Sequence, residues 1–222
     1  VGFPDPHHPF TPPGKYWDMY DPADCPPPIS LGTDLFEPPP FQQDLHRQLK
    51  DGTRESRVAA YAVTERETRE SIALTYGMIS FVDDSVGRIL KKLKELDLTN
   101  NTVVIFTSDH GDLMGEQGLM LKHCFHNEGL IRSPFIWSDP YDESPAERTD
   151  MLSGTIDIAS TILGRAGLAP YHGIQGFDII AAHKSNSPLS RLGILLEEDE
   201  IPFNVNCEHY LRTRSFVDGR WR

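Results

Sequence analysis

The stretch TVVIFTSDHGDLMGEQGLMLK at residues 102–122 decides the fold of this chain. It opens at residues 103–107 with a near-continuous run of apolar and β-branched side chains, which is typical of a strand buried on both faces of a parallel sheet. Asp109, His110 and Gly111 follow this run. Because ligands of open α/β sheets bind beyond the carboxyl ends of the strands, this position favours metal binding or acid–base chemistry for the Asp-His pair. The alternative is a polar turn in which Asp109 caps the next segment.

A long amphipathic pattern precedes the predicted strand. Apolar side chains recur at three- and four-residue steps over residues 66–96, with lysines on the opposite side. These apolar positions are Ile72, Tyr76, Ile79, Val82, Val86, Ile89, Leu90, Leu93 and Leu96. The pattern predicts a helix, and a helix leading into a buried strand is a unit of an α/β fold. We interpret its acidic pair, Asp83 and Asp84, as polar residues that bond to neighbouring loops rather than as catalytic groups.

The first part of the chain, residues 1–41, is rich in proline and aromatic residues. Prolines at this density are excluded from helix interiors and central strands, so we expect ordered loop or extended chain. Residues 6–10 of this segment read Pro-His-His-Pro-Phe. Taken alone, the motif leaves two interpretations open, a functional histidine or two exposed loop histidines.

Several motifs together resemble the type I sulfatases of the alkaline phosphatase superfamily. The sequence TSDHGD at 107–112, GEQG at 115–118 and Lys122 resemble the second metal-ligand segment of that family, and PHHPF at 6–10 resembles its Pro-His-x-Pro-Phe segment. The resemblance implies an α/β fold, an alkaline-phosphatase-like sandwich around a central, mostly parallel sheet. It further implies a fragment that lacks its N-terminal part, with a partial catalytic domain at 1–180 and the start of a C-terminal subdomain at 181–222.

The resemblance also implies roles for four side chains. Asp109 would be an oxygen ligand and His110 a nitrogen ligand of one divalent cation, and Lys122 would offset the anionic oxygens of the substrate. His7, the first histidine of its motif, would donate a proton to the leaving oxygen, whereas His8 occupies a variable position. The cation is usually calcium in sulfatases, but imidazole suits manganese or zinc better, so these metals remain alternatives.

Formylglycine, the nucleophile of sulfatases, is made from a cysteine within Cys-x-Pro-x-Arg. Cys25 is followed by Pro-Pro-Pro-Ile, which lacks the arginine, and it comes after His7 instead of before it. We therefore interpret Cys25 as not catalytic. The formylglycine and two aspartate ligands are expected upstream of Val1, so we predict that the chain by itself has little or no activity.

The predicted function is metal-dependent hydrolysis of a sulfate monoester, the substrate being a small anion such as the sulfate of a sugar or aryl alcohol. Two alternatives remain open. Phosphonate monoester or phosphate diester hydrolases of the same superfamily share the Asp-His pair and the lysine. A non-catalytic anion- or carbohydrate-binding relative belongs to a different class, and the retention of all four side chains argues against it.

Charge and hydropathy exclude other classes of partner. The net charge of −12 and the lack of a basic stripe argue against nucleic acid, because nothing would neutralise phosphates along a duplex. A small anion remains compatible with local cations. The sequence contains no apolar run of about 18 residues, so no membrane span is predicted. Three widely spaced cysteines predict no disulfide framework. Compartment and oligomeric state are not predicted.

Overall fold

The computed structural model describes residues 1–32, 37–54, 60–122, 126–143, 147–187, 189–200 and 211–218. The described residues form two compact units, one ending at Glu143 and one formed by the residues that follow. The predicted domain boundary near residue 180 stays a prediction. The helices of this part of the chain are α1 (Pro40–Asp51), α2 (Glu65–Glu95), α3 (Glu128–Ile131), α4 (Asp157–Arg165) and α5 (Ile179–Lys184). The strands are β1 (Tyr61–Ala62), β2 (Val104–Thr107), β3 (Leu119–Met120), β4 (Phe135–Ser138), β5 (Ile194–Glu200) and β6 (Leu211–Val217).

The proline-rich segment before α1 is irregular chain with two short 3-10 turns, Gly14–Tyr16 and Pro22–Asp24, as its composition predicts. This segment packs against α2. The Tyr16 hydroxyl donates to the Asp84 carboxylate, and a Cβ on Gly77 would lie 2.2 Å from the Tyr16 carbonyl oxygen. Glycine is therefore needed at position 77 for this close approach, and the interpretation of Asp84 as a loop-bonding residue is confirmed.

The predicted helix over 66–96 is confirmed as α2, which begins with a capping box. The Thr64 hydroxyl accepts the Glu67 N–H at 3.2 Å, and the Glu67 carboxylate accepts the Thr64 N–H at 2.8 Å. The Arg54 guanidinium also donates to Glu67, and this hydrogen bonding lowers the pKa of the Glu67 carboxyl to about 2. The first turn of α2 is thus fixed by one carboxylate that binds both backbone and side chain.

Strand β2 confirms the predicted strand but differs from it in environment. It pairs antiparallel with β4, with Val104 opposite Ser138 and Thr107 opposite Phe135. Its residues are half-buried or exposed, and Phe106 is 38% exposed. The expectation of a strand buried on both faces in a parallel sheet is therefore wrong for the described chain. An apolar run favours burial of a strand, but it does not determine whether the strand pairs parallel or antiparallel with its neighbour.

The core of the first unit surrounds the short ladder of β1 with β3. These strands pair antiparallel, with Ala62 opposite Leu119. The buried apolar residues of this region are Ala60, Ala62, Val63, Leu113, Leu119, Met120, Leu121 and Leu130. Because β3 leads directly into Lys122, this core determines where the predicted substrate-binding lysine lies.

The second unit is organised around the buried carboxylate of Asp157, the first residue of α4. This carboxylate accepts the N–H groups of Gly154 and Phe177, both at 2.9 Å, and forms an ion pair with Arg191. The apolar pattern of residues 151–168 predicts a helix over that range, and the helix in the structure is shorter, Asp157–Arg165. The hydrogen bond to Gly154 holds residues 154–157 in a turn, so the helix begins only at Asp157.

Strands β5 and β6 pair antiparallel along their whole length. The sequence pattern predicts a strand at residues 192–196 and a solvated acidic face at 197–200, but in the structure the acidic run belongs to β5. Arg214 on β6 forms ion pairs with Glu197 at 2.8 Å and Asp199 at 2.9 Å. Cross-strand charge pairing therefore accommodates acidic residues in a strand. Among the described residues, no helix is both long enough and apolar enough to cross a membrane.

Candidate active site

The turn that follows β2 presents Asp109 to solvent. Its Oδ1 accepts the His110 N–H at 2.9 Å, and the Ser108 hydroxyl donates to the His110 carbonyl at 2.9 Å. These local bonds fix the turn while the Asp109 side chain stays 84% exposed. Burial alone would raise the pKa of the Asp109 carboxyl, but hydrogen bonds from the His110 N–H and the Ser108 hydroxyl help to lower the pKa below its ordinary value. The carboxylate is therefore ionised and accessible.

The hydrogen bonds of His110 define its tautomer. Its Nδ1 lies 2.7 Å from the Gly111 carbonyl, which can only accept, so Nδ1 carries the hydrogen. Its Nε2 lies 3.0 Å from Nζ of Lys122, an ammonium that can only donate. The Nε2 lone pair is consequently directed towards Lys122. The same nitrogen is 3.6 Å from Oδ2 of Asp109, so one oxygen donor, one nitrogen donor and one cation converge.

A tight chain reversal brings Lys122 back to this turn. The Leu113 N–H donates to the Leu121 carbonyl at 3.0 Å, and the Gly115 N–H donates to the Leu119 carbonyl at 2.8 Å. Gly115 has a φ of 90°, and a Cβ there would lie 2.3 Å from Thr68 on α2. Both the backbone conformation and the close approach require glycine. The first glycine of the GEQG motif thus allows the reversal.

A second set of contacts ties the turn to α3. The Gly111 N–H donates to the Leu130 carbonyl at 2.8 Å, and Oε2 of Glu116 accepts the Gly129 N–H at 3.0 Å. A Cβ on Gly111 would lie 1.8 Å from the Gly129 carbonyl oxygen. Gly111 and Glu116 belong to the sequence motifs, but the sequence predicted no function for either residue. Their spacing in the motif indicates that these positions are structurally restricted. It does not predict that they contact α3.

The motif at residues 6–10 reaches the same region through Phe10. The Phe10 ring packs against the cluster that contains Met120 and Leu121, immediately before Lys122. His7 is exposed, its ring stacks on His8 at a centroid distance of 3.9 Å, and its Nδ1 lies 2.6 Å from the His8 carbonyl. Burial, followed by the charges of His7 and Lys122, lowers the pKa of His8. His8 therefore lies within electrostatic range of the lysine.

The predicted site residues are thus brought together to different degrees. Asp109, His110 and Lys122 form one contiguous group, and His7 is linked to it through His8. The family resemblance placed His8 at a variable position, so its ring contact with His7 was not predicted. The only signal for it was adjacency to His7, and adjacency does not distinguish a stacked pair from two rings that point apart.

A divalent cation fits the donors that this group offers. Asp109 supplies an exposed carboxylate oxygen, and His110 supplies Nε2 on a side chain that is 40% exposed. Oxygen and imidazole donors suit divalent metals in proteins. The described residues contain no group of three or more His, Cys, Asp or Glu side chains able to hold a metal ion, so this pair accounts for two ligand positions.

Cys25 does not fit the formylglycine position. Its side chain is 2% exposed and packs against Ile72 and Ala73 of α2. Burial raises the pKa of the Cys25 thiol, which disfavours the reactive thiolate. The structure therefore supports the interpretation of Cys25 as a core residue.

Residues 6–168 match the sulfatase family. This chain belongs to the sulfatase family. It is 30% identical to the choline-sulfatase of Rhizobium meliloti strain 1021 over 169 residues, which cover 76% of this chain and 31% of that protein. It is 27% identical to the arylsulfatase of Clostridium perfringens strain 13 over 217 residues, which cover 96% of this chain and 42% of that protein. The chain therefore spans about a third to two fifths of these relatives.

The same fold occurs in a solved structure of the phosphonate monoester hydrolase of Agrobacterium radiobacter. The TM-score is 0.73 at 24% identity, and the match covers 90% of this chain and 40% of that one. At this level of identity the likeness concerns the fold alone. It confirms the predicted α/β class.

Proposed function

We propose that this sulfatase-family chain contributes the Asp-His metal ligands and the leaving-group acid of a sulfuric ester hydrolase. The observation that carries the proposal is the convergence of Asp109, His110 and Lys122 beyond the carboxyl end of β2. The similarity to a choline-sulfatase and an arylsulfatase supports a sulfate monoester as substrate. The alcohol part would be a sugar or an aryl group.

Asp109 and His110 would hold one divalent cation through a carboxylate oxygen and Nε2. When bound, such a cation offsets the charge of the ester oxygens and polarises the sulfate group. Calcium is the first candidate because of the family, and the imidazole donor supports manganese or zinc as alternatives. The remaining ligands and the formylglycine nucleophile would come from a segment outside residues 1–222, and no step is assigned to Cys25.

Lys122 would bind the non-bridging oxygens of the ester. Its ammonium has three N–H donors, one of which contacts His110 Nε2 in this structure. A cation held by Nε2 would take the place of that contact, so the Lys122 donors could all meet anionic oxygens, and the positive charge becomes more effective once substrate excludes water from the site.

His7 would act as the general acid. Its Nδ1–H donates to the His8 carbonyl, which leaves Nε2 on an exposed side chain for the substrate. As the bond between sulfur and the bridging oxygen breaks, negative charge grows on that oxygen. Protonation by His7 Nε2 would then release the neutral alcohol.

Phosphonate monoester or phosphate diester hydrolysis is the second candidate. Its specific support is His110, because the resemblance to these hydrolases includes the Asp-His pair at 109–110. The tetrahedral anionic oxygens of a phosphonate could make the same contacts with Lys122. A binding role without catalysis is less well supported, since it requires neither the ionised Asp109 nor the exposed His7.

A substrate panel tests the proposal. An enzyme that contains residues 1–222 is assayed with an aryl sulfate, an aryl phosphonate and an aryl phosphate diester at equal concentrations. We expect the highest kcat/KM for the sulfate, and the isolated 222-residue chain serves as the inactive control. Preference for the diester or phosphonate would replace sulfate by the second candidate. Turnover by the isolated chain that survives dialysis would contradict the proposed external nucleophile.

A further inference from the structure

His8 makes contacts that a variable loop residue does not need. Its Nδ1 is shielded from solvent and has no hydrogen-bond partner among the described residues. Its ring lies against His7, at a centroid distance of 3.9 Å and an interplanar angle of 32°. Phe10, two residues further on, anchors this part of the chain against Met120 and Leu121. The His8 ring is therefore held in place by packing.

Both the backbone and the side chain of His8 act on His7. The His8 carbonyl accepts from His7 Nδ1 at 2.6 Å, which directs the other ring nitrogen outward. The stacked His8 ring restricts rotation of the His7 ring. A general acid needs this restriction, because proton transfer depends on the position of a single nitrogen.

The environment of His8 also affects the protonation of its own ring. The positive groups that act on His8 are His7 on its own segment and Lys122 from the segment after β3. Together with burial, which is the largest cause, they lower the pKa of His8. Burial and the neighbouring positive charges therefore favour the neutral form of the His8 ring.

We propose that His8 is a positioning residue for His7: its ring is the platform that orients His7 for proton transfer to the leaving alcohol. The proposal rests on the proposed function, because it assigns His7 the general-acid role. It adds to that function a residue that acts through His7 without touching the substrate.

The stacking itself is tested in the 222-residue chain by NMR of the His7 ring protons. Protons over an aromatic face are shielded, so His8→Ala should move the His7 resonances downfield, whereas His8→Phe should largely retain the shielding. Equal His7 shifts in the parent chain and in both variants would overturn the proposal. A matched far-ultraviolet spectrum for each variant shows that the fold is retained.

The kinetic test uses an active enzyme that contains this chain and a series of aryl sulfates. His8→Ala should lower kcat by about tenfold or more and leave KM within about threefold, because orientation acts in the transition state. His8→Phe should restore most of kcat. The loss in His8→Ala should grow as the leaving alcohol becomes more basic, since poor leaving groups depend most on the acid. A uniform loss across the series would indicate a merely structural role and overturn the proposal.

A charged variant adds a readout in pH. His8→Lys places a positive charge against His7 and lowers the pKa of His7. Because His7 must be protonated to act as the acid, the alkaline fall in kcat should move to lower pH. An unchanged profile overturns the proposal and leaves the proposed function intact. An enzyme that hydrolyses none of the sulfate, phosphonate and diester substrates overturns both.

Discussion

Lys122 donates a hydrogen bond to Nε2 of His110 across 3.0 Å, and the other ring nitrogen of His110 is committed to the Gly111 carbonyl. Nε2 therefore holds the lone pair of the ring, which accepts from Lys122 in this structure and which His110 would need in order to ligate a metal. This contact connects the two ends of the motif at 109–122. Because of this contact, we expect the charge of Lys122 to affect the affinity of His110 for a metal directly.

Substitution of Lys122 should separate metal binding from catalysis. Lys122→Met removes a positive charge beside the Nε2 donor, so Mn²⁺ should bind about three- to tenfold more tightly, measured by isothermal titration calorimetry. In an active enzyme the same variant should lose about 100-fold or more in kcat/KM. Lys94→Met, on the exposed side of α2, is the control with the same change of charge and should alter neither quantity. Weaker metal binding in Lys122→Met would show that the lysine supports the site.

Replacement of the nitrogen ligand should change metal preference. His110→Asn exchanges an imidazole nitrogen for an amide oxygen, which favours calcium over manganese and zinc. We expect the ratio of Mn²⁺ to Ca²⁺ affinity to fall by about tenfold or more, because the donor atom at this position changes from nitrogen to oxygen. Competitive titration of the two metals measures this ratio. An unchanged ratio would show that His110 does not ligate the metal.

The contact of Gly111 with α3 should be sensitive to a single methyl group. Gly111→Ala places a Cβ 1.8 Å from the Gly129 carbonyl, so the free energy of unfolding should fall by about 2 kcal/mol. Gly87→Ala is the matched control, because a Cβ there has nothing within 4 Å and lies in the interior of α2. That control should raise the free energy by about 0.5–1 kcal/mol. Urea unfolding of both variants checks the contrast, and equal effects would contradict the assigned contact.

The capping carboxylate of α2 should make stability depend on acid pH. Hydrogen bonds from Arg54 lower the pKa of Glu67 from 4.5 to about 2, so the stabilisation is present above pH 4.5 and is lost as pH falls towards 2. Because Glu67 is partly exposed, we expect about 1 kcal/mol from this carboxylate. Glu67→Gln should remove that part of the pH dependence of unfolding, whereas Glu70→Gln, at an exposed ion pair with Arg66, should retain it. Parallel curves for Glu67→Gln and the parent chain would refute the assignment.

The sequence predicted the elements whose signal is local. The 31-residue helix α2 follows from a sustained apolar period, and β2 follows from a short apolar run. The antiparallel pairing of β2 with β4 was not predictable, because strand direction depends on the path of the chain between them. The start of α4 was missed because the Asp157 carboxylate binds residues on both sides of the helix start.

The candidate site was likewise predictable from the sequence only in part. Asp109, His110 and Lys122 follow from motif spacing, since a tight reversal at Gly115 brings the ends of the motif together. The bond between Glu116 and Gly129 was missed, because no periodic pattern relates those positions. The contribution of His8 depends on ring orientation, which is a property of packing and cannot be obtained from residue type.

The most direct test of the account is the initial rate of aryl sulfate hydrolysis by an active enzyme that contains this chain, with Asp109 intact and as Asp109→Ala. We expect Asp109→Ala to lose about 1,000-fold or more of the activity, because one of the ligands that fix the metal is removed. A chelator should abolish the activity of the parent enzyme, and added metal should restore it only where Asp109 is intact. Full activity in Asp109→Ala would contradict the assignment of this chain as the Asp-His side of a metal-dependent sulfuric ester hydrolase.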